Sequence, residues 1–156
     1  MNYIIMSRIW SNPTWMFFHT FAEKVDINFY NRNKDICLMI IKSVCEVLPC
    51  MVCRVHATRY MRNITIKTVP TKRLFRKMLL DFHNFVNRRL RKRQYPERAL
   101  VKYRNMKLAS VLDLMCYEIK RYYVAPGPIR FSLTAPDFKV LDNIQLSIKK
   151  HMRFFS

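Results

Sequence analysis

Glycine occurs once in this chain of 156 residues, at Gly127. That scarcity limits the fold more than any other feature. A phosphate-cradling loop or a dinucleotide-binding fingerprint needs several glycines so that the backbone can approach the phosphates closely. Neither can be built here. A nucleotide-like cofactor must be gripped by side chains, and helices are the natural scaffold for them. Long apolar stretches with a helical period point the same way, so the expected class is all-α. At 51% hydrophobic and 13% aromatic, the chain has the material for one domain with a real core.

The pattern predicts a first helix over about Pro13–Val25, with Asn12 as N-cap and Pro13 at the first helical position. Trp15, His19 and Ala22 then share a face. Residues 26–34 read as a polar, Asn-rich link. A second helix spans about Asp35–Val47, with an apolar face through Ile36, Met39, Ile40 and Val44. A third runs from Pro49 to about Asn63, and residues 64–70 read as a linker, with an extended path as one option. The fourth runs from about Thr71 to Arg91–Arg93, with an apolar stripe of Phe75, Leu79, Phe82, Val86 and Leu90. A short fifth opens at Pro96-Glu97 and reaches Arg104. An amphipathic helix follows over 107–123, facing inward with Leu108, Val111, Leu112, Met115 and Ile119. A turn at 125–128, a short strand at 129–133 and a last helix from Pro136 or Asp137 complete the reading.

Cys50-Met51-Val52-Cys53 carries the clearest chemistry. Two thiols at this spacing can form a redox disulfide, and a helix N-terminus favours a thiolate there, making Cys50 a competent point of attack. Cys53, His56 and Tyr60 fall on one helical face. The other cysteines are Cys37, Cys45 and Cys116, and an odd total leaves at least one unpaired within the chain. Cys37 and Cys45 read as core packing, as does Cys116, for which an intermolecular disulfide is the alternative. His151 reads as surface.

A second signal lies on the fourth helix, where His83, Asn84, Asn87 and Arg91 run beside the apolar stripe. A buried amide without a partner costs roughly 1–3 kcal/mol. A flavin ring edge, with alternating donors and acceptors, suits such a stripe. Trp15 offers a flat face for stacking. Arg88, Arg89, Arg91 and Lys92 can neutralise a diphosphate without a glycine loop. Together the two signals suggest a thiol oxidase that passes electrons to a bound flavin.

The formal net charge is +19, and residues 70–104 carry twelve Lys/Arg against two Asp/Glu. Such a block attracts polyanions, so weak non-specific nucleic-acid association is an expectation beside the plainer one of a solvated face. No signature of specific nucleic-acid recognition accompanies it. The N-terminus shows no signal-peptide core and no apolar run reaches membrane-spanning length. The expected location is therefore the cytoplasm, without secretion and without a membrane partner. There CxxC pairs are usually catalytic or metal-binding.

Three segments resemble a known family. Thr14-Trp15-Met16-Phe17-Phe18-His19-Thr20-Phe21-Ala22 is similar to the opening WxxxHxxA motif of the Erv/ALR-type FAD-linked sulfhydryl oxidases. Leu48-Pro49-Cys50-Met51-Val52-Cys53-Arg54-Val55-His56 resembles their PCxxCxxH motif. His83-Asn84-Phe85-Val86-Asn87-Arg88-Arg89-Leu90 resembles their HNxVNxxL motif. Order and intervals agree, over about residues 10–104. The resemblance implies an oxidase domain at 1–104, a four- or five-helix bundle cradling FAD, and a mainly helical extension at 105–156. It implies a homodimer. It places Trp15, His19, His56, Tyr60, His83, Asn84, Asn87 and the basic residues Arg88, Arg89, Arg91 and Lys92 around FAD. Cys53 becomes the flavin-proximal sulfur and Cys50 the one that meets thiol-containing protein substrates, a thioredoxin-like relay protein among them. Electrons pass to FAD and then to O2, giving H2O2.

The chain departs from the pattern in three ways. It shows no second, shuttling cysteine pair on a tail. Only Cys116 lies downstream where many members have a structural disulfide, and Met78 stands where several have tryptophan. The short form is most like members from large DNA viruses, which implies host cytoplasm and the virion as locations. The alternative is a zinc-stabilised basic nucleic-acid-binding module, with Cys50, Cys53 and His56 as ligands and a fourth from Cys45 or His83.

Overall fold

A computed structural model describes residues 3–124 and 137–155. The described elements are helical: α1 (Tyr3–Lys24), α2 (Ile27–Arg32), α3 (Lys34–Glu46), α4 (Met51–Arg62), α5 (Lys72–Arg89), a 3-10 helix (Glu97–Asn105), α6 (Leu108–Val124), α7 (Lys139–Lys150) and a 3-10 turn (Met152–Phe154). The all-α expectation is met. The turn expected at 125–128 and the strand at 129–133 lie outside the described residues.

α1 starts ten residues before the expected Pro13 and carries that proline in its interior. An interior proline costs about 3 kcal/mol because it removes a ladder bond. Burial of Trp10 and Pro13 opposes that cost. Thr14 Oγ1 also donates to the Trp10 carbonyl at 2.8 Å. Asn12 is therefore not an N-cap. The Asn-rich link likewise contains a helix, α2. Asp26 caps it, accepting from the N–H groups of Asn28 and Phe29 at 2.8 Å, while Phe29 and Tyr30 are buried.

α3 buries Cys37, Leu38, Ile40, Ile41, Val44 and Cys45. Its stripe is turned relative to the expected one, which leaves Met39 exposed. The 64–70 segment is not extended. Thr65 and Thr68 close a turn through their main chains and the Thr68 hydroxyl. α5 starts at Lys72, beside the expected Thr71, which caps it, its hydroxyl accepting from Leu74 N–H at 3.3 Å.

α5 ends at Arg89, so Leu90 leaves the stripe and is exposed. The end is a Schellman arrangement. Lys92 N–H donates to the Asn87 carbonyl at 2.8 Å, and Arg91 N–H to that of Arg88 at 3.1 Å. Arg91 stands at the left-handed position with φ 54°, which normally selects glycine. A side chain there costs about 1–2 kcal/mol. Arg91→Gly is expected to raise stability by about 1 kcal/mol, read as a higher urea midpoint at unchanged slope.

α1 is the central element, with α6, α5 and the 3-10 helix packed on it, while α3 meets α4 and α7. α6 buries Leu108, Val111, Leu112, Met115 and Ile119 as expected, and Cys116 with them. α7 adds Leu141, Ile144 and Ile148 to the same core. The chain end folds back on α2, where Asp26 N–H donates to the Phe154 carbonyl at 2.7 Å and Phe154 stacks on Phe29. His151, expected at the surface, is half-buried with its ring 5.3 Å from that of Phe29.

Candidate redox and cofactor site

Cys50 and Cys53 are joined as a disulfide with Cα atoms 5.1 Å apart. Pro49 lies before the helix rather than at its first position. Cys50 itself is the N-cap, in extended geometry, and its Sγ accepts from Cys53 N–H at 3.2 Å. That bond and the α4 N-terminus both favour negative charge on Cys50 once the disulfide opens. In the disulfide neither sulfur is a thiolate available to zinc. Among the described residues no group of three His, Cys, Asp or Glu is placed to hold a metal ion.

The turn before Cys50 is held from α6. The Arg54 guanidinium donates from Nε to the Leu48 carbonyl at 3.2 Å and from its terminal nitrogen to Tyr123 Oη at 2.9 Å. The Tyr123 hydroxyl in turn donates to the Leu48 carbonyl at 3.1 Å. Sequence reasoning missed both residues, because nothing local links positions 54 and 123.

Along α4, Cys53, His56 and Tyr60 share a half-buried face as expected. Tyr60 leans on Phe82 and Phe85 of α5, with centroids 4.8 and 5.1 Å away. His56 Nε2 lies 2.8 Å from the Arg89 guanidinium. Partial desolvation and then the charges of Arg89 and Arg59 hold its pKa below the usual value.

Beyond Phe82 the rings form a stack. Trp15 lies against Phe82 at 5.2 Å and parallel to His83 at 4.1 Å and 3°. His83 stacks on Tyr95 at 4.8 Å, and His19 on Tyr103 at 5.0 Å. His19 Nε2 and His83 Nδ1 are hydrogen-bonded at 3.0 Å. Burial, then the neighbouring His83 and Lys102 charges, lowers His19 to about 3. Burial, then Lys102 and Lys92, lowers His83 to about 4. Both imidazoles are neutral at pH 7, so one donates to the other. Trp15, His19 and His83 therefore converge as expected. Tyr95 and Tyr103 join them unforeseen, although two aromatics in a basic run were a usable signal.

The two asparagine amides find main-chain partners rather than waiting for a ring edge. Asn84 donates to the Tyr95 carbonyl at 3.0 Å and accepts from Tyr95 N–H at 2.6 Å. Asn87 donates to the Arg93 carbonyl at 3.2 Å. They pin the 91–96 loop and so place Tyr95 on His83. Arg88, Arg89, Arg91 and Lys92 stand exposed at the end of α5. A cleft of about 390 Å³ lined by Glu23, Lys24, Lys72, Arg76 and Arg104 has none of these residues in its wall.

The residues fit a flavin dinucleotide in kind. Near-parallel, uncharged rings suit a planar heterocycle, and a fringe of guanidiniums and an ammonium suits a diphosphate. The profile of the Erv1 / Alr family matches residues 12–106. The chain belongs to the Erv1 / Alr family. Two viral relatives align with this Erv1 / Alr chain. The putative FAD-linked sulfhydryl oxidase 347L of Invertebrate iridescent virus 6 is 36% identical over 95 residues, covering 57% of this chain and 86% of that protein. The putative FAD-linked sulfhydryl oxidase 096R of Invertebrate iridescent virus 3 is 28% identical over 88 residues, covering 56% and 60%. No solved structure matches significantly. The family match includes both cysteines and the ring stack but leaves Tyr123 outside.

Proposed function

We propose that this Erv1 / Alr protein is an FAD-dependent thiol oxidase that forms disulfide bonds in protein substrates. The observation that carries the reading is the Cys50–Cys53 disulfide at the head of α4, on the helix whose Tyr60 reaches the ring stack. The names of the two viral relatives support it.

A substrate thiolate attacks Cys50 Sγ, the S–S bond breaks, and Cys53 leaves as a thiolate. A second substrate thiol attacks the mixed disulfide. The substrate departs as a disulfide, and Cys50 leaves as a thiolate stabilised by Cys53 N–H and the helix N-terminus. FAD, when bound, supplies a two-electron acceptor that O2 reoxidises with release of H2O2. The net change is two thiols and O2 to one disulfide and H2O2. We assign Trp15, His19, His83, Asn84, Asn87, His56 and Tyr60 to holding the ring systems, and Arg88, Arg89, Arg91 and Lys92 to the diphosphate. Tyr95 joins that set on the geometry of its stack with His83.

The reading extends to a homodimer, to a thioredoxin-like relay protein as one electron donor, and to host cytoplasm and virion as locations. These rest on the family resemblance and on the viral source of the relatives. Among the described residues no helix is long and apolar enough to cross a membrane.

Purified protein tests the proposal. It is expected to be yellow, to bleach with dithiothreitol in the absence of air, and to consume O2 while releasing H2O2 when air is admitted. Trp15→Ala is expected to purify with most of its flavin lost. A colourless wild-type protein that carries zinc and oxidises no thiol would overturn the reading.

A further inference from the structure

The proposed function leaves open which thiols this chain serves. The outer face of α4 bears on that. Met51, Val52 and Val55 are 56%, 61% and 48% exposed and lie next to the disulfide on the first two turns of the helix. Single exposed apolar side chains are ordinary, but three neighbours at a reactive group mark a contact surface. The same face continues through Arg59 and Arg62, both exposed. Val52, Val55, Arg59 and Arg62 follow one another by three or four residues, which makes one stripe along the helix. At 1.5 Å rise per residue, the two arginines stand about 10 and 15 Å from Val52.

Other charges border this stripe. Arg89 of α5 adjoins it through His56. Lys42 and Glu46 of α3 share a small cleft with Arg62. Asp81 faces Tyr60 but is paired with Lys77 at 2.6 Å. The balance around the basic end is positive, with Glu46 the one carboxylate near Arg62 among these residues.

We propose that this stripe is the substrate-docking surface, and that its occupant is a cysteine-bearing protein segment of matching pattern. Apolar residues flank the thiols, and acidic residues lie about 10–15 Å further along. The inference rests on the thiol-oxidase reading, because whatever attacks Cys50 must lie over its first-turn neighbours. A small thiol needs none of this surface. The charge match acts at range and weakens with salt.

Two synthetic dithiol peptides, identical except for a trio of Glu or of Lys beyond the apolar stretch, test the proposal with holoprotein at low salt. Dithiothreitol serves as the small-thiol reference. The wild type is expected to favour the Glu peptide by about tenfold or more in kcat/KM, equivalent to roughly 1.4 kcal/mol. Arg59→Glu with Arg62→Glu is expected to invert that preference. Val55→Glu is expected to slow the Glu peptide at least fivefold. Dithiothreitol turnover should stay unchanged in both variants. Equal turnover of the two peptides with dithiothreitol oxidised normally overturns the docking surface alone. Failure of the wild type to oxidise dithiothreitol overturns the oxidase reading and this inference with it.

Discussion

Cys50→Ser and Cys53→Ser are each expected to reduce thiol-dependent O2 uptake to background, a loss on the order of a thousandfold or more, as when one member of a catalytic unit is removed. The two variants should differ in what they trap. Cys53→Ser keeps the attacked sulfur without its resolving partner, so it should accumulate mixed disulfides with substrate through Cys50. Cys50→Ser should accumulate none. Cys37→Ser, Cys45→Ser and Cys116→Ser should retain turnover. Their thiols are buried, and desolvation pushes Cys37 and Cys116 up to about 12 and raises Cys45 as well. A protonated thiol is a poor nucleophile. Oxygen-electrode rates and non-reducing mass spectrometry read both outcomes. Full turnover in either active-pair variant would move the chemistry to another cysteine.

Acid should unfold the protein through the imidazole pair. His19 and His83 titrate near 6.5 when unfolded but near 3 and 4 in the folded chain. Between those limits the unfolded state binds more protons than the native state, so stability rises with pH. The contribution is complete above about 6.5 and is lost as pH falls toward 3 to 4. Each unit of difference is worth about 1.4 kcal/mol, so the pair accounts for several kcal/mol across the window. Urea unfolding followed by circular dichroism should show the steep loss, and His19→Gln should flatten it. An equally steep loss in that variant would assign acid sensitivity to the carboxylates instead.

The helical class, the α6 stripe and the CxxC helix were legible in the sequence because periodicity reports burial directly. Element starts were less so. Pro13 reads as a first-turn residue, yet burial of Trp10 and its neighbours outweighs the lost ladder bond and carries α1 through it. α2 hid in polar residues because only Phe29 and Tyr30 mark its inner side. At the site, the motif residues Trp15, His19 and His83 came together as read. The asparagines were harder, since their partners are main-chain groups of a loop whose path depends on a left-handed Arg91. Tertiary pairs such as Arg54 and Tyr123 leave no trace in local pattern.

The Tyr123 hydroxyl has a bearing on how far this oxidase can be shortened. It comes from a helix beyond the residues that match the family, yet it latches the turn that presents Cys50. A minimal enzyme cut to the common length would keep both cysteines and lose that fastening. α6 is thus more than bulk, since it braces the threshold on which the disulfide stands.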